Sequence, residues 1–184
     1  MVQIVTDRLF LRPFRVDDLP AFVAYRSDPE VARYQSWHES YTMADAERFL
    51  DSQQGVDFGE SGKWLQLAAI DRSSGVVCGD CAVRVDTDQP STAEIGVTFA
   101  PDHQHLGLAT EAIGALTTEL FDVLGLHRVY AQADGRNHAV HRLLERLGFR
   151  CEARLVEAEW FKGEWTTLCV FSALADDWEP LHRI

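Results

Sequence analysis

Three observations predict a mixed α/β domain in three layers. The elements run strand, helices, three strands, helix, strand, helix, two strands. Residues 110–124 and 137–147 carry apolar side chains at helical spacing. Between an alternating strand at 92–99 and the first of those helices lies a glycine-bearing loop, Gln104-His105-Leu106-Gly107-Leu108-Ala109. At 184 residues the chain suits one domain, 1–184, with a full core.

Residues 4–14 read as the first strand, with a break at Thr6-Asp7 and with Leu9 and Leu11 on one face. Asp17 caps a helix to about residue 27, with Leu19, Phe22, Val23 and Tyr25 supplying apolar contacts. Asp28-Pro29 stops it, and a short helix follows at 29–34. Thr42 and Asp45 form a capping box with a shortened acid, opening a helix to about 52. Met43, Ala46, Phe49 and Leu50 share one face of it. Residues 55–62 are loop. Strands at 63–71 and 76–85 flank a hairpin turn at 71–75, and a turn at 86–91 leads into the strand at 92–99. Helix 110–124 presents Ala112, Ile113, Leu116, Leu120, Phe121 and Leu124, and Gly125 caps it. A strand at 128–133 precedes helix 137–147, whose stripe is Val140, Leu143, Leu144 and Leu147. Gly148 ends that helix. Strands 150–161 and 165–174 form a long hairpin across Lys162-Gly163-Glu164.

A net charge of −12 argues against nucleic acid as the partner, because phosphate binding needs a basic surface. It suits a cationic amine, and equally it serves solubility. Apolar content of 46% without an 18-residue apolar run gives no expectation of a membrane span. The first residues alternate and carry charge, without an apolar signal core, so the expected location is cytoplasmic. Cys78-Gly-Asp-Cys81 has no second pair at zinc spacing, since Cys151 and Cys169 lie too far apart. Within a strand, residues three apart face opposite sides, so these cysteines read as buried reduced thiols. His103-x-His105 lacks a third ligand at recognisable spacing, and no metal is expected.

The loop at 104–109 has chemistry of its own. The first N–H groups of a helix have no internal partners, and the helix dipole adds partial positive charge there. Such a site suits a pyrophosphate, and Gly107 lets backbone approach a ligand with no Cβ in the way. It is neither a Walker loop nor a dinucleotide loop, lacking Gly-Lys-Ser/Thr and the further glycines.

The hexapeptide resembles the pyrophosphate loop of the GNAT acyltransferases, Gln/Arg-x-x-Gly-x-Gly/Ala. Further motifs are similar to the RimJ/RimL-like branch, the ribosomal-protein N-terminal acetyltransferases and their relatives. They are Thr6-Asp7-Arg8-Leu9-Phe10-Leu11-Arg12-Pro13, Ala93-Glu94-Ile95-Gly96-Val97, Gly125-Leu126-His127-Arg128-Val129 and Arg136-Asn137-His138-Ala139. Two more follow: the run from Arg142 to Phe149, and Phe161-Lys162-Gly163-Glu164-Trp165. The resemblance implies an α/β (α+β) GNAT fold, with a mixed, mostly antiparallel sheet of about seven strands flanked by helices.

It also implies acetyl-CoA as co-substrate and a primary amine as acceptor: a protein N-terminus, a lysine or a small amine. The backbone of Val97 and Phe99, with Thr98 between, would hold pantetheine where strands splay. The amides from His105 through Leu106, Gly107, Leu108 and Ala109 to Thr110, with Gln104 ahead of them, would hold the pyrophosphate. Asn137 would bond pantetheine or lie beside the thioester, although it serves equally as a helix cap. Arg142 would meet phosphates, or simply be a solvated helix charge. Tyr34, Trp37 and His38 would line the acceptor pocket, with Trp160 and Trp165 as further candidates there or as packing residues.

The matching residue implies Glu94 as base, directly or through water; otherwise it is a strand-surface carboxylate paired with a neighbour. Some members carry a serine three residues after the Asn, and other GNAT branches a tyrosine seven residues after it. Here those positions are Val140 and Leu144, which leaves the general acid to solvent, Tyr130 or another hydroxyl. Two alternatives stay open: a non-catalytic acyl-CoA-binding module, and a different donor such as succinyl-CoA, for which Arg33 is the basic candidate. The terminal hairpin offers strand edges, so monomer and homodimer are both compatible with the sequence.

Overall fold

The computed structural model describes residues 2–89 and 91–179. Eight strands form one sheet: β1 (Ile4–Val5), β2 (Leu9–Pro13), β3 (Leu65–Asp71), β4 (Val77–Val85), β5 (Thr92–Phe99), β6 (Arg128–Asp134), β7 (Arg150–Phe161) and β8 (Glu164–Leu174). Their spatial order is β1-β2-β3-β4-β5-β6-β8-β7. The β5–β6 pair is parallel, and the other neighbours are antiparallel. The helices are α1 (Leu19–Arg26), α2 (Pro29–Ala32), α3 (Met43–Ser52), α4 (Leu108–Asp122) and α5 (His138–Arg146).

Alternation along β3 sorts the layers. Leu67 and Ala69 enter the core beneath α4 and α5, whereas Ala68 and Ile70 enter the one beneath α1–α3. The first core takes Ala112, Ile113, Leu116, Leu120 and Phe121 from α4, as spacing predicts, with Leu124 packed against it and Leu108 added. The second is aromatic, with Phe14 and Phe49 packed on Phe22 at centroid distances of 4.6 and 4.7 Å.

Four details differ from expectation. The break at Thr6-Asp7 is a full turn, with Thr6 N bonded to Leu9 O, so the first strand is a hairpin of two and the sheet has eight strands. The acid at the start of the first helical segment is Asp18 rather than Asp17. It accepts from both terminal nitrogens of Arg12, at 2.6 and 2.9 Å, and from Arg15 N. Helix α4 begins at Leu108, because Gly107 adopts φ +79° and can serve as its N-cap. Cys78 and Cys81 share one core, since a bulge opposite Ala69 and Ile70 inserts an extra β4 residue and reverses the alternation. Both are free buried thiols, and burial pushes Cys78 up to about 12. The turn at 86–91 contains Pro90, which lies outside the described residues.

No helix among the described residues is long and apolar enough to cross a membrane.

Candidate functional site

Strands β5 and β6 run side by side only over Thr92–Arg128, Ala93–Val129 and Glu94–Tyr130. Beyond Glu94 they part, and a cleft of about 940 Å³ opens between them. Its walls are residues 94–99 of β5, residues 131–134 of β6 and the start of α4. The α5 N-cap Asn137, with Arg142 and Arg146 of α5, continues them, as do Glu159 and Phe161 of β7. A strap between α2 and α3 contributes Tyr34, Gln35 and Ser36.

The parting leaves the β6-facing edge of β5 without a strand partner, and two glutamines meet it. Gln35 donates to Val97 O at 3.4 Å, and Gln104 donates to Phe99 O at 2.9 Å. Thr98, between them, is buried opposite Asp80 of β4. These carbonyls form an edge that an extended amide-bearing chain can use in the manner of an added strand.

At the outer end the chain turns sharply into α4. His105 has φ +61° and Gly107 φ +79°, two left-handed positions in three residues. Gly107 supplies no side-chain cap, so the amides of the first turn stay available to an outside acceptor. Gln104, His105, Gly107, Leu108, Ala109 and Thr110 line the cleft. Leu106 points to solvent, 56% exposed, and engages only through its carbonyl, which accepts from Arg8 at 2.8 Å. Among the described residues no group of three His, Cys, Asp or Glu is placed to hold a metal.

Glu94 stands at the apex where the strands divide. It accepts from Arg84 of the neighbouring strand at 2.6 Å, and Tyr130 Oη lies 3.5 Å from the same oxygen and 3.3 Å from Asp86. Burial, opposed by Arg84, pushes the carboxyl above its usual range. Burial and the two carboxylates raise the Tyr130 hydroxyl as well, so that it keeps its proton. The cross-strand ion pair and the cleft position thus belong to one side chain.

On the far wall, Asn137 Oδ1 accepts from Val140 N at 3.3 Å and caps α5. The cap turns the amide NH₂ away from the helix. Arg142 lies one turn further along the same cleft wall. Leu144 is buried and Val140 half-buried, so neither offers a donor beyond its backbone.

The strap is held by a residue far along the chain. Lys162, at the tip of the β7–β8 hairpin, donates to Ala32 O at 2.7 Å and Trp37 O at 2.6 Å, bracketing the strap. Lys162 (φ +48°) and Gly163 (φ +89°) both adopt left-handed backbone, the requirement of a tight two-residue hairpin. Arg136, bonded to Asp134 and Glu164, ties the same hairpin to the end of β6.

Of the expected acceptor residues, Tyr34 reaches the cleft, whereas Trp37 and His38 do not line it. The Trp37 indole turns inward, donating to Arg26 O at 3.1 Å and lying 3.7 Å from the buried Arg26 guanidinium. His38 follows it onto the surface. Trp160 and Trp165 also lie outside, 60% and 59% exposed and packed on each other. Strand alternation explains this, because Glu159 and Phe161 on either side of Trp160 face the cleft. Arg33 pairs with Glu30 at 3.6 Å and does not line the cleft. Gln35 and Lys162 join the site without a sequence signal, because both act through backbone carbonyls, which leave no pattern in the sequence.

Comparison with known proteins matches this geometry. Residues 8–150 match the Acetyltransferase (GNAT) domain family. An uncharacterized N-acetyltransferase, p20, from Bacillus licheniformis is 29% identical over 95% of this chain and 97% of its own length. The crystal structure of a GNAT-family acetyltransferase from Bacillus anthracis superposes with a TM-score of 0.85 at 24% identity, covering 95% of this chain and 99% of that one. The spermidine N-acetyltransferase of Vibrio cholerae, solved with CoA and spermine, superposes at 0.80 with 20% identity, over 94% and 98%. A divided sheet, an uncapped helix start at its mouth and a match covering most of the chain agree: the protein belongs to the GNAT acetyltransferase family and is an acyl-CoA-dependent acetyltransferase.

Proposed function

We propose that this protein is a RimJ/RimL-like N-acetyltransferase, one cytoplasmic domain moving acetyl from acetyl-CoA to a primary amine by direct attack in a ternary complex. The observation that carries this reading is the parting of β5 and β6 immediately after the Glu94–Tyr130 pair. A carboxylate then sits at the apex of a cleft whose mouth is the uncapped start of α4.

Pantetheine lies along β5, exchanging with Gln35 and Gln104 for the carbonyls of Val97 and Phe99. The amides of residues 105–110 take the pyrophosphate, and Arg142 turns toward phosphate. The Asn137 NH₂ reaches the pantetheine or the thioester. Acyl-CoA supplies the thioester carbonyl. Holding it and the amine together replaces a bimolecular encounter. Glu94 receives the proton the amine loses, directly or through one water, and burial makes it a better base than an exposed carboxylate. Tyr130 stays protonated and orients Glu94, and solvent protonates the departing thiolate. Tyr34 borders the amine, and Trp37 acts only by supporting the strap.

The cleft carries Glu30, Glu94 and Glu159 with Arg142 and Arg146 on the α5 wall. Acid away from the phosphate end favours a cationic amine. The likeness to a spermidine acetyltransferase adds polyamines to the amines worth trying.

Thiol release from acetyl-CoA, followed with N-terminal peptides, lysine peptides, aminoglycosides and polyamines, tests the reading and names the acceptor class. Glu94→Gln should lower kcat by about a hundredfold or more while leaving CoA affinity unchanged. Equal turnover in the variant would remove Glu94 from the mechanism. Release only with another thioester, such as succinyl-CoA, would move the donor away from acetyl.

A further inference from the structure

Glu111 lies in the first turn of α4, beside the amides assigned to the pyrophosphate. A carboxylate there is favourable for the positive end of the helix, yet it carries the same charge as the ligand and competes with it. The β1–β2 turn surrounds this carboxylate. Thr6 Oγ1 donates to Oε1 at 2.6 Å and Arg8 N to the same oxygen at 2.8 Å, while Arg8 Nε donates to Oε2 at 2.6 Å. Burial opposes ionisation of Glu111, but these partners together hold its carboxyl below the usual range, so it is charged.

The same guanidinium reaches the loop. Arg8 Nη1 donates to Leu106 O at 2.8 Å, and Nη2 lies 3.5 Å from where a Cβ on Gly107 would sit. One planar fork therefore spans from the loop carbonyl to the helix carboxylate, and an ammonium cannot match that reach. With Leu106 O turned toward Arg8, the loop's negative dipole is held by a cation.

We propose that Arg8 is a positioning residue for cofactor binding: it ties the Leu106 carbonyl to Glu111 and neutralises that carboxylate beside the pyrophosphate. This rests on the assignment of the α4 amides to the pyrophosphate, and it adds a role for the β1–β2 turn, which does not line the cleft.

The test compares coenzyme A with pantetheine, which lacks the pyrophosphate and nucleotide, by competition against acetyl-CoA. Arg8→Met should weaken coenzyme A about tenfold while pantetheine changes less than about twofold. Adding Glu111→Gln to Arg8→Met should recover at least about threefold, because the uncompensated charge is then gone. A variant that binds coenzyme A like the wild type overturns the proposal. So does an equal loss for both probes, which would mean general damage to the fold. Failure of Glu111→Gln to recover affinity overturns the charge argument at its centre. Wild-type protein that binds pantetheine as tightly as coenzyme A would instead defeat the pyrophosphate assignment itself, whatever Arg8 does.

Discussion

At the mouth of the cleft, Gln104, His105 and residues 107–110 line the wall from one short stretch of chain. At the roof, the strap at 32–37 is set by Lys162, 125 and 130 residues away from the carbonyls it holds. The mouth is mostly local: a left-handed turn, a glycine and a helix start shape it, with a tie from the β1–β2 turn through Arg8 to Leu106 O. The roof is an assembly, and it exists only once the sheet has brought the terminal hairpin over α2. A mostly local site tolerates change at most distant positions, the direct tie at Arg8 excepted, but is intolerant within its own few residues. An assembled site is the reverse, with many contributors of modest weight each.

The sharpest way to break this contrast is at Gly107. Its φ of +79° disfavours a β-branched residue by about 1–2 kcal/mol, and a Cβ there would meet the Arg8 guanidinium, 3.5 Å away. Gly107→Val should lower coenzyme A affinity by tenfold or more, measured by calorimetry. An unchanged affinity would mean that the loop is not the phosphate grip.

The roof should respond more gently and in a different parameter. Lys162→Met keeps the hairpin turn and the aliphatic stem but releases Ala32 O and Trp37 O. The strap carries Tyr34 and Gln35, so KM for the amine should rise about fivefold, with coenzyme A affinity nearly constant. An equal loss in both parameters would make mouth and roof a single unit and dissolve the distinction.

This contrast also explains how much the sequence disclosed. The order of elements along the chain, both long helices and the α4 loop are legible, because each rests on periodicity or a short motif within one segment. Asn137 was legible as a helix cap, and the structure finds it capping α5. Trp37 illustrates what was not. The family resemblance puts it beside the cleft, but its ring is drawn away by the buried Arg26, a contact between residues 11 apart that no period encodes. Gln35 was invisible for a related reason, since its partner is a carbonyl freed only where β5 and β6 part. Trp160 and Trp165 fell outside through strand parity, which the irregular pairing of β7 between Leu155 and Glu159 makes hard to count from sequence. The burial of Cys78 and Cys81 is legible in the sequence, but the bulge that joins them in one core is not.

The smallest expected effect tests the apex, where the two ends meet. Burial raises the Glu94 carboxyl and Arg84 lowers it, so removing Arg84 must raise it further. If Glu94 acts as the base, activity falls on the acid side as that carboxylate takes up a proton, and the acid limb of kcat/KM marks where this happens. Arg84→Met should therefore move the limb to higher pH. Arg84 is partly exposed, its side chain 36% accessible, so solvent screens the pair and the shift should be small. Plateau activity at alkaline pH should be retained, because the carboxylate is ionised there with or without its partner. A limb that stays in place would assign it to a group other than Glu94. A limb that moves to lower pH would contradict the electrostatics of the pair. An upward shift with an intact plateau would link a cross-strand ion pair, which looks merely structural, to the proton transfer at the apex of the divided sheet.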